Sequence, residues 1–351
     1  MIPLQAITPE ALAASVEIVS LDEARRIVGA VHRRGSVPAT VAGVRRASLD
    51  AVRACGSLPR LDLRSERRDP FDRFVKYALA AAQGEMIETV RIPLERAGRF
   101  SVCVSSQAGC GLGCVFCATG RLGLGRNLAA WEILEQVRVV RQGLDPARGE
   151  RVHGIVFQGM GEPLANADAV IEALRVASEP AALAVNARNI TVSTAGVPAG
   201  ILRLAREAPK ARLGISVSSA RPEVRRNLMP IDRAHPLEEV LEAAAEHARL
   251  TGLAPMWAVT LLAGVNDTAE DARALARLAR EFAGRAGCRP RISVVPYNAI
   301  DAPDRDPFRR SGEEREAEFR RILSEAGVAS HRRYSGGAGI GGACGQLAGR
   351  V

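Results

Sequence analysis

Apolar residues recur along this chain in two rhythms, and the rhythm changes from one end to the other. From residue 8 to about 57 they return every three or four positions, in EALAASVEIV, LDEARRIVGAVHRR and SLDAVRACG. That period predicts short helices, broken at Gly35, Pro38 and Gly43. Around 86–106 the period shortens to two, and MIETVRIPL and RFSVCVSS read as strands. Beyond them, short apolar runs alternate with amphipathic helical stretches. The runs are HGIVFQG (153–159), NITVSTAG (189–196), RLGISVSS (212–219), PMWAVTLLAG (255–264) and RISVVPYN (291–298). Between them lie helical patterns such as AAWEILEQVRVVRQGL, ADAVIEALRVAS, LEEVLEAAAEHARL and TAEDARALARLAREF. Such alternation implies right-handed βαβ units around a parallel sheet.

Counting Ser101–Ser106, six such units are expected, fewer than the eight that close a barrel. The predicted fold is α/β: a partial (β/α)6 TIM-like barrel with a small N-terminal helical domain. Its expected divisions are a helical, basic accessory region over 1–65, a β extension or linker over 66–100, and the barrel with a C-terminal loop over 101–351. Functional groups are expected at the C-terminal ends of the parallel strands.

Charge adds a partner class. The formal net charge is +9, and Lys76 and Lys210 are the two lysines, so arginine carries almost all of the positive charge. Between Leu21 and Ala80 thirteen Arg and Lys residues face seven Asp and Glu, with Arg25-Arg26, Arg33-Arg34, Arg45-Arg46 and Arg67-Arg68 as pairs. An uneven basic surface is the footprint of a nucleic-acid partner, and a solvated arginine-rich face is the alternative reading. With aromatics at 4%, no stacking platform for single strands is expected. The N-terminus has no basic segment leading into an apolar one, and the longest mostly apolar run, 252–265, is too short to span a bilayer. A cytoplasmic protein without a membrane anchor is the expectation.

Four of the seven cysteines fall in CVSSQAGCGLGCVFCATG (103–120). In a reducing compartment, clustered thiols bind metal or do redox chemistry more often than they form structural disulfides. A structural zinc site wants four ligands, usually in paired C-x2-C units, and no second pair follows. Cys110, Cys114 and Cys117, spaced C-x3-C-x2-C after a strand, instead predict an iron–sulfur cluster with one iron left open. The alternative is a chance grouping of buried thiols. Cys55 and Cys288 read as small buried hydrophobes, Trp131 and Trp257 as core, and the five histidines show no metal spacing.

The C-x3-C-x2-C run resembles the signature of the radical S-adenosylmethionine (SAM) superfamily, and GMGEP (159–163) resembles its glycine-rich segment. GRNL (125–128), GMGEPLAN (159–166), TVSTAGVP (191–198), RRNLMPI (225–231), GVNDT (264–268), VPYN (295–298) and ACGQLAG (343–349) follow in the order found in one family. That family is the radical-SAM RNA adenine methyltransferases, the RlmN/Cfr group, and the likeness covers roughly residues 70–350.

The resemblance implies a [4Fe–4S] cluster on Cys110, Cys114 and Cys117, and two SAM molecules per turnover. It implies methyl transfer to C2 or C8 of an adenine in 23S rRNA and/or tRNA, with electrons from a donor such as flavodoxin or ferredoxin. Cys344 would first take a methyl from one SAM. A deoxyadenosyl radical made from the second would activate that methyl for addition to the base. Cys103 would then resolve the adduct through a transient disulfide with Cys344, and Glu88 would be the proton acceptor. Gly161 and Glu162 would hold the SAM amino group, Ser193 and Asn298 its carboxylate or ribose, and Ser216, Val217 and Ser218 its nucleoside end.

Two places depart from the family pattern. Ser216-Val217-Ser218 stands where the family has Ser-Leu-His, and Gly336–Ile340 lacks the arginine and acid of an Arg-Gly-x-Asp-Ile stretch. These departures imply a divergent member whose target adenine, carbon or RNA differs. Two other readings remain at this level: a radical-SAM enzyme modifying a small molecule or peptide, and a non-catalytic iron–sulfur RNA-binding protein.

Overall fold

The structure, a computed structural model, describes residues 1–300 and 306–349. Its centre is a ten-stranded sheet. In chain order its strands are β1 (Asp62–Arg68), β2 (Val75–Ala80), β3 (Met86–Pro93), β4 (Arg99–Val104), β5 (Arg151–Phe157), β6 (Ile190–Thr194), β7 (Arg212–Ser216), β8 (Met256–Leu261), β9 (Arg291–Pro296) and β10 (Ser330–Arg332). Their order in space is the same as their order in the chain, and neither β1 nor β10 pairs with the other, so the sheet stays open. Strands β4 to β10 are parallel, whereas β1 to β4 run antiparallel.

The six expected parallel strands are present, and the short β10 adds a seventh at the edge. Helices cross between them: α4 (Ala130–Gln142), α5 (Ala167–Ser178), α6 (Pro198–Glu207), α7 (Pro222–Leu228), α8 (Leu237–Thr251), α9 (Ala269–Ala286) and α10 (Glu313–Glu325). Apolar side chains of the strands, among them Phe157, Val192, Ile215 and Trp257, pack against these helices in one continuous core.

Strands β1 and β2 have no counterpart in the periodic pattern, for opposite reasons. DLRSERR is exposed along nearly its whole length, as a charged edge strand that discourages pairing with other chains. VKYALA is buried at every position, Lys76 included, so it shows no alternation.

The first three helices, α1 (Pro9–Ser15), α2 (Leu21–Arg34) and α3 (Arg46–Cys55), share a separate small core of Leu12, Ile27, Val31, Leu49 and Val52. Helix α2 begins on a Ser20/Glu23 capping box and ends at Gly35, which takes φ 68°. The break expected at Gly35 is this left-handed glycine, a local signal, as is the capping box at the other end. Cys55 and Cys288 are each partly exposed, short of the full burial expected of them. No helix of the described residues is long and apolar enough to cross a membrane.

Candidate active site

The chemistry gathers at the C-terminal ends of β4 to β9. Directly after β4 the chain forms a two-stranded ribbon, Gln107–Cys110 against Gly123–Asn127, and Cys114 and Cys117 lie in the loop between its arms. Gly109 takes φ 78°, and a Cβ there would overlap the Gly123 carbonyl. At Gly120 a Cβ would sit 2.7 Å from the Cys114 carbonyl oxygen. These two glycines let the loop fold tightly on itself.

Cys110, Cys114 and Cys117 line one cavity of about 890 Å³, together with Gly161, Glu162, Ser193, Ser216 and Ser218. All seven cysteines are free thiols. Among the described residues no three His, Cys, Asp or Glu side chains converge closely enough to hold a single metal ion. Thiols spread around one cavity suit a multi-iron cluster, where each thiolate takes a different iron. Burial pushes Cys110 up to about 11 and raises Cys114 as well. A metal binding these thiols would therefore have to displace their protons.

The polar residues opposite the thiols are positioned by backbone. Glu162 is buried, and its carboxylate accepts from Leu164 N at 3.0 Å and Ala195 N at 2.8 Å, which ties the GMGEP turn to the end of β6. Burial raises its pKa. Ser218 holds φ 57°, an uncommon conformation for a residue with a side chain, and its carbonyl accepts from Asn266 Nδ2 at 2.7 Å. Val217 points into the core, fully buried, and does not line the cavity.

The RRNLMPI motif carries an arginine, Arg225, whose task the sequence does not reveal. In the structure Arg225 is fully buried, donates to the carbonyls of Ala195 (2.8 Å), Ser216 (2.7 Å) and Val217 (2.6 Å), and pairs with Asp232 at 2.9 Å. It binds the ends of β6 and β7 together beneath Ser216. The surplus arginine in this chain hid the signal, because nothing in the sequence distinguishes a buried arginine from the many on the surface.

Cys344 stands between this cavity and a second one. It lines both, and the second, about 560 Å³, contains Cys103, Phe74, Gln158, Arg333 and Tyr334. Gln158 Nε2 donates to the Cys344 sulfur at 3.4 Å, and Gln158 Oε1 accepts from Arg333 at 2.8 Å. Cys103, near the end of β4, is buried between its strand neighbours Val90 and Val156. Burial, with the nearby Cys344 adding to it, pushes its thiol up to about 12.

The loop carrying Cys344 is held at both ends by the antiparallel strands and the turn before β2. At its start Asp72 accepts from Gly337 N at 2.8 Å and from the Tyr334 hydroxyl at 3.3 Å. At its end Glu88 Oε2 accepts from Ala348 N (2.8 Å) and Gly349 N (3.2 Å), while Glu88 Oε1 pairs with Lys76 at 2.9 Å. Asn298 Nδ2 holds the middle, donating to the Cys344 carbonyl at 3.1 Å and to Ser335 at 2.8 Å. The glycine-rich 336–340 stretch thus takes its anchors from Asp72 and from backbone amides rather than from charges of its own. Glu88 and Asn298 line neither cavity, so the structure places both as tethers of the loop.

The likeness to known proteins follows this geometry. Residues 104–279, from the end of β4 through most of α9, match the Radical SAM superfamily model. A probable RNA methyltransferase of Sorangium cellulosum is 58% identical over 356 residues, covering 97% of this chain and 90% of that protein. The dual-specificity RNA methyltransferase RlmN of Syntrophobacter fumaroxidans is 41% identical, covering 81% of this chain and 79% of its own length. The crystal structure of a radical SAM methyltransferase from Sphaerobacter thermophilus superposes with a TM-score of 0.88 at 32% identity, over 100% of both chains. Three thiols on one loop, a glycine turn facing them and a fourth thiol on a C-terminal loop are thus held within a shared fold, and the chain belongs to the radical SAM superfamily, in its RNA methyltransferase family.

Proposed function

We propose that this chain transfers a methyl group to a carbon of adenine, C2 or C8, in ribosomal RNA and/or tRNA, through a methyl group carried on Cys344. The observation that supports this reading most directly is the place of Cys344 between two cavities, one with the three ligand thiols and one with Cys103. The family works with a [4Fe–4S] cluster and SAM, two SAM per turnover, and these supply the radical chemistry that an unreactive aromatic carbon requires. Cys110, Cys114 and Cys117 would hold the cluster. Gly161, Glu162, Ser193, Ser216 and Ser218 would hold SAM beside it.

The remaining work falls to the protein's own groups. Cys344 takes the methyl and presents it to the base from the wall between the cavities. Cys103 then attacks the Cys344 sulfur, releasing the methylated RNA and leaving a Cys103–Cys344 disulfide that external thiols reduce. Glu88, as proton acceptor, is reached once the tail leaves its carboxylate. The basic surface around Arg33, Arg34, Arg60, Arg138 and Arg141, which edge one cleft between α2 and α4, would hold RNA phosphates. A cytoplasmic flavodoxin or ferredoxin would deliver the electron.

The test is a pair of variants. Cys344→Ala should yield neither methylated protein nor methylated RNA. Cys103→Ala should accumulate RNA covalently attached to Cys344, seen as a protein band that RNase shifts. Normal turnover by Cys103→Ala without trapped RNA would refute the resolving role.

A further inference from the structure

We propose that the cleft between the end of α2 and α4 is a site for a free nucleoside diphosphate, with its phosphates on Arg33, Arg34 and Arg141 and its nucleoside on the apolar wall beneath them. The ligand takes arginines that the proposed function offers to RNA, and so competes with RNA. The competition rests on the RNA methyltransferase reading; the site itself does not.

The cleft stands apart from the catalytic cavities. It encloses about 920 Å³ and shares no wall residue with either of them. Helix α4 carries the chain from the thiol-bearing end of β4 back to the start of the parallel strand β5. Arg138 and Arg141, near the end of that helix, therefore lie toward the edge of the sheet opposite the thiols. The facing walls come from α2 and from the segment before β1, so the cleft is a space between the N-terminal helices and the barrel.

Charge in the cleft is unbalanced. Five arginines line it against one carboxylate, Glu135. Glu135 is fully buried and already pairs with Arg60 at 3.1 Å and with Arg138 at 2.6 Å. Arg60 also donates to the Gly35 carbonyl, which fixes the end of α2 over α4. Arg33, Arg34 and Arg141 make no ion pair or hydrogen bond among the described residues. Three such guanidiniums around one concave space repel one another, and a bound anion relieves the repulsion. A nucleoside diphosphate carries about three negative charges at neutral pH, on the groups that guanidinium recognises best.

The cleft is also deeper than phosphate requires. Leu58, Leu134 and Leu183 give it an apolar wall, and its volume lies within the roughly 300–1,000 Å³ of small-molecule pockets. An RNA backbone crossing the rim meets the arginines and leaves this wall uncovered, whereas a mononucleotide covers both. Two polar groups of the lining lack partners: Gln5 Oε1, on a side chain 5% exposed, and His32 Nε2. The Gln5 amide is fixed by its Nε2, which donates to the Pro59 carbonyl at 2.6 Å. Burial, with Arg141 adding to it, lowers His32 from 6.5 to about 4, so its imidazole is neutral at pH 7. Buried polar atoms without partners are costly, and the hydroxyls and amines of a nucleoside supply partners.

Calorimetry on the full-length, cluster-free protein tests the site, with ADP, GDP, pyrophosphate and adenosine as probes at one fixed salt concentration. ADP or GDP should bind about tenfold tighter than pyrophosphate or adenosine, because only a nucleotide meets both halves of the cleft. Arg34→Gln and Arg141→Gln remove groups that have no partner in the fold, and each should weaken the diphosphate about fivefold. Leu183→Trp, which fills the apolar wall, should do the same while changing pyrophosphate affinity less than about twofold. Nucleoside diphosphates that bind no tighter than pyrophosphate, or that are unaffected by both arginine variants, overturn the site.

Fluorescence anisotropy with a labelled single-stranded RNA tests the competition. Saturating diphosphate should weaken RNA binding about fivefold in wild type and leave it unchanged in Leu183→Trp. RNA affinity indifferent to the diphosphate in wild type overturns the competition. Wild type that binds the diphosphate but no RNA counts against the RNA reading instead, and the calorimetry still decides the cleft.

Discussion

Replacing Glu88 separates its hold on the C-terminal tail from the proton-accepting role proposed for it. Its carboxylate is fully buried, pairs with the nearly buried Lys76 at 2.9 Å, and accepts the amides of Ala348 and Gly349. Glu88→Ala leaves an ammonium without a counter-charge inside the sheet, and breaking such a pair from one side costs about 3–5 kcal/mol. The two orphaned amides add less, because the tail can swing out to water. Glu88→Gln loses the charge and so suffers a comparable destabilisation, but its amide oxygen still accepts from the tail. Lys76→Met with Glu88→Leu removes both charges, and should regain most of the stability while the tail remains free.

Guanidinium unfolding of the cluster-free protein reads the first effect, and hydrogen exchange of the 344–349 segment reads the second. The expected pattern is two strongly destabilised single variants, one recovered double variant, and fast tail exchange in Glu88→Ala and the double variant only. Glu88→Ala within about 0.5 kcal/mol of wild type, or with tail exchange unchanged, would refute the tether. With the tail still held, loss of RNA methylation in Glu88→Gln would then report the proton-accepting role.

Reconstituted protein should carry about four irons per chain, and Ala at Cys110, Cys114 or Cys117 should abolish the visible absorbance of the cluster; a variant retaining the full cluster would remove that residue from the ligand set. Arg225→Lys keeps the charge but not the fork that reaches three carbonyls and Asp232, so it should cost about 2–4 kcal/mol and weaken SAM binding, measured by denaturation and by calorimetry. His247 is fully buried, and burial lowers its pKa from 6.5 to about 4. The folded state therefore stays neutral while the unfolded chain takes up a proton below pH 6.5, so stability falls as pH drops, by about 2 kcal/mol at pH 5. His247→Gln should flatten that part of the profile in cluster-free protein; an unchanged slope would show that His247 is not its source.

The sequence by itself determined the features that are local in the chain. The thiols of Cys110, Cys114 and Cys117 lie within eight residues, so their spacing carries the proposed ligand set. Helix α2 is bounded by Ser20 and Gly35, and the parallel strands show as apolar runs because both their faces are covered. Tertiary structure decided whatever depends on distant segments meeting. Strand β2 carries a lysine into the core, which only Glu88 on the neighbouring strand makes tolerable. Arg225 looks like any surface arginine until β6 and β7 turn their carbonyls toward it. The second cavity draws on Phe74, Cys103, Gln158 and the 333–347 segment, which share no periodicity or spacing. A pocket is a property of walls brought together, and the hydrophobic pattern of each wall records only which side faces the core.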